Sequence, residues 1–242
     1  MNRWSIYVDI EGFTPIFKDN EDQAIFLLGK LIEYIWKIGS GVYYNETQRL
    51  FIHQYGDGFV IVSNGYEEDI IRPICISIFL MQIMLINNGT ARIGISEGSF
   101  QDILSCYPEC VRKEAHRSNE NSRCTGGLQV GAGIMKFQQV MGSTFVNAVA
   151  LNNITKKGPL LLIDALFRNR FNSQGINILY ENENYLEIDW IHSNNSELER
   201  IYGTLSIDKP ASSELERNLR QYIQNNDLHQ DWIINSNIII GN

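Results

Sequence analysis

Positive charge is scarce in this chain. Its 242 residues carry 20 Lys+Arg against 28 Asp+Glu, a formal net charge of −8. Such a balance lacks the clustered cations that a nucleic-acid backbone or an anionic membrane surface demands, so neither is an expected partner. A small polyanion such as a nucleoside triphosphate would then depend on a local cation or a metal ion rather than on the overall field. Long hydrophobic runs are lacking too. The most apolar stretch, residues 74–86, contains Gln82 and is too short for a bilayer, so it reads as a buried helix.

The opening MNRWSIYVDIEG lacks the charged-then-apolar pattern of a secretion signal, which predicts a cytoplasmic location. Cysteines number four, Cys75, Cys106, Cys110 and Cys124, and in that compartment they default to thiols. The spacing of Cys106, Cys110, His116 and Cys124 fits no zinc ribbon or finger. His192 and His229 read as solvated. With 44% apolar residues, the length allows one domain with an extension or two small ones.

Periodicity supplies an α+β order. Residues 4–10 alternate as a strand, followed by Gly12 and a turn at Thr14-Pro15. Residues 21–38 space Ile25, Leu28, Leu31/Ile32 and Ile35 as an amphipathic helix. A hairpin of 50–55 and 59–63 closes on Gly56-Asp57-Gly58, then come a helix over about 67–87 and a strand over 91–97. Strand, helix, hairpin, helix, strand is the ferredoxin-like βαββαβ arrangement. Residues 99–130 read as a long polar excursion. Beyond it the pattern predicts a strand at 131–140, with Gly131-x-Gly133 as a bulge, and a helix at 144–156. A strand at 160–163, a short helix at 164–169 and a hairpin at 176–191 come next. Ser213-x-x-Glu216 has capping-box spacing for a last helix. The expected division is a catalytic domain over 1–175 and an extension over 176–242.

Two carboxylates stand out. Asp9 ends the first strand within VDIEGFT, and Asp57 occupies the hairpin tip within QYGDGFVIV. Each alone is usually a turn or cap residue. Together, on adjacent central strands, they converge, and closely spaced carboxylates call for cations between them. Gly12, Phe13 and Thr14 lie where backbone N–H groups meet phosphate oxygens. Strand parity sets Phe51, His53, Tyr55 and Asp57 on one side, a bulky floor that favours a small base.

These motifs, with ARIGISEG at 91–98 and GSTFVNAVAL at 142–151, resemble the catalytic domain of class III nucleotidyl cyclases. DILSCYPECV, GAGIM, VMGSTFVNAVAL and KGPLLLID are similar to the pyrimidine cyclases of bacterial Pycsar anti-phage systems. The resemblance implies two divalent ions, Mn2+ or Mg2+, held by Asp9, the Ile10 carbonyl and Asp57. It implies a homodimer with active sites at the interface and a lyase reaction. UTP would give 3′,5′-cyclic UMP and pyrophosphate, and the cyclic nucleotide would be a second messenger activating an antiviral effector. The alternatives are a cytidylate cyclase acting on CTP, an adenylate cyclase, and a catalytically silent nucleotide-binding module. His53 and Gln139 occupy the base-reading positions and match neither purine-specific pair. Where the family places a transition-state Asn and Arg, this chain has Val146 and Ala150. Asn147 can stand in for the Asn after a one-residue shift, and the Arg has no counterpart there. Arg92, Arg117, Arg123, Arg168 and Arg170 are the candidates to supply it, with Arg92 read first as a structural strand residue.

Overall fold

In a computed structural model the described residues are 2–102, 109, 127–130, 133–136, 140–170 and 175–241. They fall into two compact units, Met1–Ser99 with Ser143–Asn242, and Phe100–Gly142. The first unit contains a seven-stranded sheet in the order β10-β11-β9-β4-β1-β3-β2. The strands are β1 (Asn2–Ile10), β2 (Leu50–Tyr55), β3 (Gly58–Ser63), β4 (Ala91–Ser99), β9 (Leu161–Asp164), β10 (Ile178–Glu181) and β11 (Tyr185–Ile188). All neighbours are antiparallel except β4 and β9. The order β4-β1-β3-β2 is the expected ferredoxin-like core, and β9, β11 and β10 widen it. The segment 176–242 thus contributes strands to the same sheet. In the second unit β5 (Gln101–Asp102) pairs with β8 (Val140–Met141), and β6 (Gly127–Val130) with β7 (Gly133–Lys136). The strand expected at 131–140 is therefore represented by β7 and β8, and Gly131 lies outside the described residues.

Alternation on β1 creates two different sheet faces. Trp4, Ile6, Val8 and Ile10 are buried on one of them, together with Phe59, Ile61, Ile93, Ile95, Leu161 and Ile163. Helices α2 (Glu21–Lys37) and α3 (Ile71–Ile86) cover that face, and α5 (Ser196–Thr204), α6 (Ser212–Asn225) and α7 (Gln230–Ile240) complete the same core. Asn20 caps α2 by accepting from the Gln23 N–H. Residues Ala24, Leu27, Leu31 and Ile35 of α2 then point inward at helical spacing.

Helix α3 is apolar all round because it is buried on every side, which accounts for the 74–86 run. Its Gln82 is satisfied there, donating to the Trp190 carbonyl and accepting from the Tyr202 hydroxyl, each at 2.8 Å. Among the described residues no helix is long and apolar enough to cross a membrane.

The other face carries Ser5, Tyr7 and Asp9, and α4 (Ser143–Asn152) crosses it. Ser5 Oγ donates to the Thr144 carbonyl at 2.9 Å, while Thr144 Oγ1 donates to Ser5 Oγ at 2.7 Å. Leu151, Leu160 and Leu162 form a small second apolar cluster beneath α4.

Three expectations need correction. The turn at Thr14-Pro15 is the first turn of α1 (Phe13–Asp19), where a proline loses no hydrogen bond because first-turn N–H groups have no helical partner. Ser213 does not cap the last-but-one helix: α6 begins at Ser212 behind Ala211, with no side-chain cap. His192 is not merely solvated, since it lies between Asp189 (Nδ1, 2.8 Å) and Glu216 (Nε2, 2.9 Å), so the capping-box Glu is engaged there.

Candidate functional site

The site grows from the C-terminal end of β1. Strand pairing with β3 stops at Val8 opposite Phe59, while pairing with β4 continues through Asp9 opposite Arg92 and Ile10 opposite Ala91. The Glu11 N–H donates to the Thr90 carbonyl at 2.9 Å, so the odd residues of β1 are bonded to β4. Alternation then turns the Ile10 carbonyl toward the β3 side, beyond the last β3 pair. Gly56 and Asp57 form the turn between β2 and β3 on that side.

Asp9 and Asp57 are brought into direct contact, their carboxyl groups sharing a hydrogen bond. Burial raises the Asp9 pKa first, the negative charge of Asp57 and that hydrogen bond raise it further, and it reaches about 7. Such a pair holds a proton between its members when no cation is there. Two carboxylates and a carbonyl make an all-oxygen donor set that suits Mg2+ or Mn2+, ions that retain waters and take their remaining ligands from phosphates. Among the described residues no group of three or more His, Cys, Asp or Glu side chains is placed to hold a metal. Cys106, Cys110, His116 and Cys124 lie outside the described residues.

Tyr7 was not singled out by the sequence reading. It shares the Asp9 face by parity, two residues back, and pairs with Val60, which pairs with His53. Its ring leans over Gly58, where a Cβ would come within 2.7 Å of the hydroxyl. Burial raises the phenol pKa to about 12, with the charges of Asp9 and Asp57 adding to the effect. The hydroxyl is therefore a neutral donor beside both carboxylates. Tyr55, in the next row, has its ring 4.9 Å from that of Phe145 on α4. His53 and Tyr55 are both half-buried on this face, and Phe51 lies within cation–π distance of Arg3 and Arg49.

Glu11 and Arg92 flank the pair on the β4 side. Burial raises the Glu11 pKa against the opposing charges of Arg92 and Lys157 and hydrogen bonds from Gly158 and Trp232. Arg92 is buried, donates to the Ile154 carbonyl at 3.0 Å, and has a buried Nε with no hydrogen-bond partner in the structure. Parity with Asp9 would have signalled Glu11. The Asp9–Arg92 pairing needs the register, which the sequence does not state.

Gly12 has φ +75°, a left-handed conformation that lets the chain swing from β1 into α1. The α1 N-terminus has no side-chain cap, and Thr14 is exposed beside it. Phe13 packs on the core and against Phe17. Asn147 is half-buried on α4, about 200° around the helix from Phe145, so it faces away from the Tyr55 side. Gln139, Arg117 and Arg123 lie outside the described residues. Arg170 is committed to Glu97 at 2.6 Å, and Arg168 to the Asn182 carbonyl.

No family model matches the chain, and no curated protein matches it. Solved structures similar to it include a guanylyl cyclase, with TM-score 0.47, 12% identity, and coverage of 78% of this chain and 92% of that one. A bacterial light-regulated adenylyl cyclase gives 0.49 and 14%, covering 86% of this chain and 57% of that one. A class III adenylyl cyclase-like ATP-binding protein from Pseudomonas aeruginosa gives 0.47 and 11%, covering 83% and 40%. The chain thus spans little more than half the length of the second and two fifths of the third. At these levels the likeness assigns no activity.

Proposed function

We propose that the chain is a metal-dependent nucleotidyl cyclase acting on a pyrimidine nucleoside triphosphate, with UTP giving 3′,5′-cyclic UMP and pyrophosphate. The observation that carries this reading is the contact between Asp9 and Asp57, two acidic groups driven together at one end of the sheet. Asp9, Asp57 and the Ile10 carbonyl would hold the divalent pair. Bound there, the ions supply the positive charge that a triphosphate needs and make the ribose 3′-hydroxyl more acidic.

The chain's own groups do the rest. Asp9 gives up its proton so that both carboxylates bind as anions. The Gly12-Phe13-Thr14 segment offers backbone N–H groups to phosphate oxygens at the strand-to-helix junction. Tyr7, His53 and Tyr55, in neighbouring register on one face, are the proposed floor, whose bulk would favour a six-membered ring over a fused one, with the Tyr7 hydroxyl as a donor to the bound nucleotide. Gln139 is the second proposed base-reading residue, and Asn147, which faces away from the Tyr55 side of its own chain, is the proposed contact to the transferring phosphate bound by the second copy. Pairing of two copies with their sites at the interface, and use of the product as an anti-phage second messenger, follow from the resemblance of the motifs.

The test is incubation with Mn2+ and each of the four ribonucleoside triphosphates separately, with products identified by mass. Cyclic UMP as the main product is expected. Cyclic AMP as the main product overturns the pyrimidine reading, and activity retained in Asp9→Ala or Asp57→Ala overturns the metal site. Calorimetry of Mn2+ with and without triphosphate separates a silent nucleotide-binding module from an enzyme.

A further inference from the structure

Helix α2 has two apolar faces. One, through Ala24, Leu27, Leu31 and Ile35, is buried in the core. The other runs through Ile25, Gly29, Ile32 and Trp36, again at 3–4 spacing, and lies open: Ile25 is 54% exposed and Trp36 66%. This stripe extends three turns, about 16 Å. Ile52 of edge strand β2 continues it, since a Cβ on Gly39 would meet the Ile52 side chain at 3.5 Å. An outward row of large apolar side chains marks an association surface.

Gly29 at the middle of the row is the second observation. It is not among the glycines with positive φ, and a Cβ built on it meets nothing within 4 Å. Nothing among the described residues requires glycine there, and glycine in a helix interior is unfavourable relative to every other residue but proline. Close approach of another backbone is what a missing side chain at that point permits.

Charge identifies what approaches. The first turn of α2 carries Glu21 and Asp22. The last two turns carry Lys30 and Lys37, joined through Glu33 at 3.0 and 2.6 Å, a group of net positive charge. An antiparallel crossing of two identical helices at Gly29 sets Asp22 and Glu21 of one copy level with Trp36 and Lys37 of the other. It also sets Phe26 level with Ile32. A parallel crossing would set like charges together.

We infer that the exposed face of α2 pairs with the same face of a second copy of this chain, antiparallel, with Gly29 at the crossing. The face lies on the layer opposite the Asp9 side of the sheet, so the contact neither uses nor obstructs the candidate site. It stands independently of the proposed activity.

Sedimentation velocity on the full chain at tens of micromolar tests it. Trp36→Glu, which charges the exposed row without touching the core, should halve the mean mass of the wild-type assembly. Gly29→Gln should also halve it, while the monomer unfolds at no lower temperature because glutamine is the better helix former. A wild-type chain that is already monomeric overturns the inference, and so does an assembly whose mass Trp36→Glu leaves unchanged. Halving by Trp36→Glu with full mass in Gly29→Gln overturns the crossing at Gly29. A contact made only through the site face leaves both variants at wild-type mass, which also counts against the inference.

Discussion

The carboxyl group of Asp9, at the end of the central strand, is hydrogen-bonded to that of Asp57 at the tip of the neighbouring hairpin. The two residues are 48 positions apart in sequence and are joined by register alone, because Val8 opposite Phe59 is the last pair before the strands part.

The shared proton makes the metal-free protein pH-sensitive. Folding raises the Asp9 pKa from 3.8 to about 7, so the folded state binds the proton more tightly than the unfolded one. Stability then falls as pH rises between those two values and is level above them. Thermal unfolding of chelator-treated protein across pH 4.5–8 should show that decline, and Asp9→Asn should flatten it. At pH 8, Mn2+ should raise the wild-type melting temperature and leave that of Asp9→Asn unmoved. Identical profiles for both proteins would remove the shared proton from the account.

Tyr7 tests the base pocket without touching a metal ligand. Tyr7→Ala removes the ring from the floor beside His53 and should raise the share of purine product when UTP and ATP compete. Tyr7→Phe keeps the volume and removes one hydrogen bond, a loss of about 0.5–1.5 kcal/mol in transition-state binding, or roughly two- to tenfold in kcat/KM. An unchanged purine share in Tyr7→Ala would mean that His53 and Tyr55 set the size limit without it.

Thr144 joins α4 to the sheet. Its single hydroxyl hydrogen is shared between Ser5 Oγ at 2.7 Å and the Ser96 carbonyl at 3.1 Å, all within a buried site. Thr144→Val keeps the shape and strands those acceptors, which should cost about 1–3 kcal/mol in urea unfolding. The paired change Ser5→Ala with Thr144→Val should cost less than the sum of the single changes. Strict additivity would show that the two hydroxyls act separately.

His192 couples the chain after β11 to α6. Burial opposes its charge, yet the hydrogen bonds it donates to Glu216 and Asp189 prevail and its pKa is raised. A histidine raised on folding contributes its full stabilisation below its unfolded pKa of 6.5 and loses it as pH rises through the folded value. The wild-type urea midpoint should therefore exceed that of Glu216→Gln by more at pH 5.5 than at pH 8.5. A difference that grows with pH would refute the pairing.

Much of this was legible from local pattern. Alternation in WSIYVDI and the Gly-Asp-Gly turn placed Asp9 and Asp57 on neighbouring strands, because period and turn chemistry are local properties. Tyr7 was equally available by parity with Asp9, but the motif drew attention forward to Gly12 rather than back along the strand. Glu11 was available by the same parity, whereas the placement of Arg92 opposite Asp9 was not, since that pairing depends on a register fixed by the whole sheet. Ser213 has the capping-box spacing, but the helix begins two residues earlier than a cap at Ser213 would set it, behind Ala211, and Glu216 pairs with His192 instead. The helix at Gln230–Ile240 went unpredicted, its β-branched run IINSNIII being overridden by packing of Trp232, Ile239 and Ile240 on the core.

Ser99 and Ser143 clasp one another where the chain leaves the sheet and returns to it. The Ser143 hydroxyl accepts from the Ser99 N–H at 2.9 Å, and the Ser99 hydroxyl accepts from the Ser143 N–H at 3.2 Å. Exit and entry are thereby fixed side by side before any of residues 100–142 is placed, as at a graft junction. A few glycines joining Ser99 to Ser143 would span that gap, because the register of the strands carrying Asp9 and Asp57 is set by pairs that lie within the sheet itself.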